Sequence, residues 1–101
     1  MEIIRKLSEM ISDEITDADK YATEALKHKA DNPTLAETFY RLSAEEMNHM
    51  NMLHDQVVRM IDLYRRENGE PPEPMMAVYD YLHGRNIDDA AAVKAKQSMY
   101  K

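Results

Sequence analysis

Along the first third of the chain a line of positions spaced alternately by three and four runs through Ile4, Leu7, Ile11, Glu14, Ala18, Tyr21, Ala25 and His28. That period is one face of an amphipathic α-helix. A second line runs through Leu35, Phe39, Leu42, Glu46, His49, Leu53, Gln56, Met60 and Leu63. Helix breakers fall at Asp31-Asn32-Pro33, at Asn68-Gly69 with the Glu/Pro-rich elbow 70–74, and at Gly84-Arg85-Asn86. They predict one helix near 3–30, a longer one near 33–66, and two short ones near 74–83 and 87–100. Asn32 followed by Pro33 supplies a helix cap and a first-turn proline, so the joint between the long helices has little slack. The expected architecture is all-α: a long antiparallel hairpin followed by two short C-terminal helices.

Composition agrees with helices and narrows the function. Two glycines, nine methionines, 44% hydrophobic and 32% charged residues describe a helical chain. At 101 residues it is a single domain with a thin core, for which self-association is a natural remedy. Residues 1–67 form the hairpin part and 68–101 a C-terminal part expected to serve packing or assembly. Nineteen acidic against 13 basic residues give a net charge of −6, which argues against nucleic acid as a partner. The absence of cysteine removes thiolate chemistry and leaves His and carboxylates as the metal ligands available. Apolar runs are short and the N-terminus lacks a secretory core, so no membrane association is expected and the cytoplasm is the expected compartment.

The two stripes carry ionisable residues at one height. In a hairpin turning near residue 31, Glu14 faces the segment between Glu46 and His49. Carboxylates on an apolar seam need a counter-charge, and no Lys or Arg shares that seam at that level. A divalent cation is the simplest neutraliser. Glu46-Met47-Asn48-His49 has the Glu-x-x-His spacing that aims a carboxylate and an imidazole from one helical face.

Glu14 with Tyr21 seven residues on, followed by Glu46-x-x-His49 on the next helix, resembles the ferritin-like superfamily, particularly its rubrerythrin-like and half-length members. The resemblance spans about residues 8–66. It implies a metal site of Glu14, Glu46 and His49, with Tyr21 as a neighbouring hydrogen-bond donor or redox group. It further implies two iron ions per dimer, with manganese or zinc as alternatives, and oxidation of Fe(II) by O₂ or peroxide, for iron handling or peroxide detoxification. Full-length members assemble two such helix pairs, whereas this chain holds one; Asp80-Tyr81-Leu82-His83 has a related spacing but ends at Gly84. The missing half is therefore expected from a second copy, in a homodimer or larger oligomer built on a ferritin-like four-helix bundle. Four glutamates and two divalent ions would then balance.

Two other readings compete: a metal-free helical interaction module in which the polar layer only fixes register, and a metal carrier without turnover. His28 and His54 are expected at surface or boundary positions, and His83 at a helix end. Tyr40, Tyr64, Tyr79, Tyr81 and Tyr100 are expected to pack, as are the methionines around Met50.

Overall fold

The computed structural model describes residues 2–101 and is all-helical, with three helices, α1 (Glu2–His28), α2 (Pro33–Asn68) and α3 (Glu73–Tyr100). The α1–α2 joint is as tight as its sequence suggests. The Asn32 side chain accepts a 3.3 Å hydrogen bond from the Leu35 N–H, and Pro33 occupies the first turn. At the far end of α2, Gly69 adopts φ +80° and its N–H returns to the Arg65 carbonyl at 3.0 Å. Only glycine takes that left-handed conformation without strain. Pro71 and Pro72 then turn the chain into α3.

The C-terminal part is one 28-residue helix, not two short ones. Gly84 does not break it. One glycine costs a helix interior only about 1 kcal/mol, and α3 has buried residues beyond it, Asn86, Ala90 and Val93, and half-buried ones before it, Met76, Tyr79 and Leu82. His83 is accordingly a mid-helix residue.

The helices run up, down and up in a rod of 56 × 18 × 18 Å. α1 lies between the other two, and α3 packs mainly on α1, parallel to it. The buried line of α1 is Ile4, Ser8, Ile11, Ile15, Ala18, Ala22 and Ala25; that of α2 is Ala36, Ser43, Met47, Val57 and Ile61. Alanine and serine allow close helix approach, and one polar node exploits it. The Ser43 hydroxyl donates to the Ala18 carbonyl at 2.7 Å, and the Gln97 amide donates to the Ser43 oxygen at 2.9 Å. One buried hydroxyl thereby ties all three helices together. Beyond it, Lys96 reaches Asp19 at 2.7 Å and Thr23 at 3.0 Å, while Tyr100 stacks on Tyr40 and donates to Glu37 at 3.0 Å.

A methyl group at Gly84 would meet nothing within 4 Å. Gly84→Ala is therefore expected to stabilise the chain by about 0.5–1 kcal/mol through helix propensity and reduced unfolded-state freedom, read as a higher midpoint in urea unfolding. A neutral or destabilising result would show that the chain bends there.

Candidate metal centre

Glu14 comes from the middle of α1, Glu46 and His49 from the middle of α2, and the hairpin register brings them together. Glu14 sits one turn before Ala18, and Glu46 lies three residues beyond Ser43, so the Ser43–Ala18 bond sets their height. His49 Nδ1 lies 3.5 Å from Glu14 Oε2 and 3.9 Å from Glu46 Oε2. One ligand atom from each of the three residues falls within a mutual spacing of 4.8 Å, a set of two oxygens and one imidazole nitrogen suited to Fe(II), Mn(II) or Zn(II).

Their surroundings differ from the expected interior seam. Glu14 and Glu46 are half-buried and His49 is exposed. The stripe Leu35, Phe39, Leu42, Glu46, His49, Leu53, Met60 and Leu63 is not the line that α2 buries against α1; it borders the open side of the hairpin. Leu35 and Leu63 are 36% and 45% exposed, and on α1 Ile3 and Met10 are 45% and 44% exposed. The cluster thus lies at a partly exposed side of the hairpin, with Met10 exposed one turn before Glu14.

Electrostatics mark the cluster as unsatisfied. Glu14 Oε2 is shielded from solvent and accepts no hydrogen bond; His49 is close enough to attract it but not aligned to donate. The Glu46 carboxyl is pushed from 4.5 up to about 7, first by its hydrogen bond with Glu14, then by burial and the Glu14 charge, with His49 opposing. Two neighbouring carboxyl groups, one raised by the other, with a shielded oxygen that has no donor, form a set that a cation could satisfy.

Tyr21 is half-buried with its ring 6.2 Å from that of Phe39. Among the described residues no hydrogen bond joins it to the carboxylates. His28 closes the end of α1, 3.4 Å from Glu24 and 3.3 Å from Asp31. His54 and His83, expected at a boundary and at a helix end, instead stack on each other with centroids 5.0 Å apart. On the continuous α3, Tyr79, His83, Asn86, Ala90, Val93 and Gln97 form a stripe spaced by three and four, which a helix end at Gly84 conceals. No helix among the described residues is long and apolar enough to cross a membrane. Comparison with protein-family models, curated proteins and solved structures finds no match to the chain.

Because the folded Glu46 carboxyl titrates above its ordinary value, the native state holds more protons than the unfolded chain between about pH 4.5 and pH 7. Its stability contribution is complete below that window and lost above it. Glu46→Gln keeps a donor toward Glu14 at every pH. In chelator, its melting temperature is therefore expected to gain on the parent's as pH rises through the window; a constant difference would contradict the raised Glu46 carboxyl.

Proposed function

We propose that the chain is a ferritin-like metal protein that works as a homodimer or larger oligomer, with Fe(II) as its substrate and O₂ or peroxide as the electron acceptor. Two hairpins pack their open faces about a two-fold axis to form a four-helix bundle, with α3 of each copy on the outside. Glu14, Glu46 and His49 from both copies then enclose a pair of cations in a cytoplasmic protein.

The observation that carries this is the shielded, unpartnered Glu14 Oε2 in contact range of His49, on an apolar face that the chain's own third helix leaves open. A lone carboxylate oxygen without a donor costs about 1–3 kcal/mol, and a cation removes that cost. The second copy explains the face. Leu42 and Leu53 flank the cluster on α2, and Leu7 and Met10 precede it on α1, so pairing excludes water from the carboxylates and strengthens their hold on a divalent ion. Four glutamates from two chains neutralise two such ions, with His49 and its mate as neutral ligands.

Iron held there would supply one-electron redox chemistry toward O₂ or peroxide. This chain's residues do the rest. Glu46, within ligand distance of Glu14 and His49, would hold a cation together with them. A cation entering would displace the proton that the raised Glu46 carboxyl holds, and Tyr21, seven residues from Glu14 on α1, would be a neighbouring hydrogen-bond donor or redox group. The resemblance of Glu14, Tyr21 and Glu46-x-x-His49 to ferritin-like sites agrees with this assignment.

Anaerobic Fe(II) titration followed by air, with light scattering to count chains, tests it. Two Fe(II) per two chains, an iron-dependent near-ultraviolet band on oxidation and a melting temperature raised by metal are the expected results. Glu46→Ala should lose the band and the metal-dependent melting shift together. Leu53→Glu should give monomers that bind iron at least about tenfold more weakly, the loss of about 1.4 kcal/mol. A monomer whose melting temperature ignores Fe(II), Mn(II) and Zn(II) would overturn the proposal; metal binding without oxygen consumption would reduce it to a carrier.

A further inference from the structure

A cleft whose lining includes none of Glu14, Glu46 and His49 opens between α2 and α3, the helix pair that touches least. It has a volume of about 170 Å³. Its floor is apolar, from Ile11, Val57 and Ala90, each buried. Its wall is a ladder of three nearly parallel rings. Tyr79 and His83 on α3 have centroids 5.4 Å apart, and His83 and His54 on α2 have centroids 5.0 Å apart, with 12° between planes in both pairs. Lys94 completes the rim.

The charge of this lining runs against that of the chain. The whole molecule carries −6, yet no Asp or Glu lines the cleft. Its ionisable groups are one ammonium, two imidazoles and one phenol. An imidazole presents an N–H in either protonation state. Burial, with the nearby Asp80 charge second, raises the Tyr79 phenol above its ordinary range and keeps its O–H a donor. Asn51 and Asn86 add amides. The Asn86 amide holds the Ser8 carbonyl at 3.4 Å, fixing one edge of the cleft to α1.

Three ligand classes meet this lining differently. For a cation, the parallel His54 and His83 planes set their nitrogen lone pairs side by side instead of converging, and no carboxylate completes a ligand set. A bare inorganic anion satisfies the rim but leaves the apolar floor unfilled. A small organic acid uses both, with its carbon body on Ile11, Val57 and Ala90 and its carboxylate among charge-assisted donors. The volume lies below the roughly 300 Å³ at which pockets for drug-sized ligands begin, which sets the body at one ring or a short chain.

We propose that the α2–α3 cleft is a binding site for a small apolar monocarboxylate, separate from the metal cluster. NMR titration of the full chain with benzoate and with hexanoate, against benzamide and inorganic phosphate, tests it. Saturable shifts at the His54 and His83 rings and the Val57 and Ala90 methyl groups are expected for the two acids, with benzamide weaker by about tenfold or more, the worth of one charge-assisted contact. Lys94→Gln changes an exposed side chain and should weaken both acids severalfold while leaving the circular-dichroism spectrum unchanged. Glu46→Gln should bind them as the parent does. Non-saturating shifts, benzamide equal to benzoate, phosphate reproducing the acid shifts, or shifts centred on Glu14 and His49 would each overturn the proposal.

Discussion

The register of this small protein hangs on one buried hydroxyl. Ser43 donates to the Ala18 carbonyl across the α1–α2 interface and accepts from Gln97 of α3. A slip of α2 by one residue would break both bonds, bury a polar group without a partner and rotate the face it presents by about 100°, the turn that 3.6 residues per helical turn imply. The same slip would carry Glu46 and His49 away from Glu14. Structural register and chemical convergence are therefore one constraint.

The apolar periodicity made the hairpin, its register and the Glu14–Glu46–His49 level legible. The short Asn32-Pro33 turn brings Glu14 roughly opposite the Glu46–His49 segment, the Ser43–Ala18 bond fixes that register, and His49 does lie beside Glu14. What periodicity misjudged was the side of the helix that packs. In α2 the large residues Leu35, Phe39, Leu42 and Leu53 outweigh Ala36 and Ser43 in any apolar pattern, yet the small residues lie against α1 because they permit close approach. The large ones are left half-buried or exposed beside that interface, Phe39 against the Tyr21 and His28 rings and Leu53 at the edge of the core. An apolar stripe thus records where burial is needed, without saying whether the covering surface belongs to the same chain.

The other misreading, at Gly84, has a comparable origin. A glycine followed by Arg85-Asn86 looks like a stop when only local preference is weighed. Its cost is small beside the packing of Asn86, Ala90 and Val93 on one side of it and of Tyr79 and Leu82 on the other. Continuity of α3 is what places His83 against His54 and Asn86 against Ser8, so the second cleft was out of reach of a reading that ended the helix there. Nothing in local sequence signals a contact between residues 78 positions apart.

That separation also orders the assembly of the chain. The α1–α2 interface closes across a turn of a few residues, whereas the bonds of α3 to α1, Asn86 to Ser8 and Lys96 to Asp19, join residues 78 and 77 apart. Loop-closure entropy grows with the intervening length, and nearby partners find each other first. The hairpin therefore zips while α3 is still searching. A nascent chain displays its carboxylate face before its third helix has docked, and the Glu14–Glu46–His49 cluster comes together before the α2–α3 cleft exists.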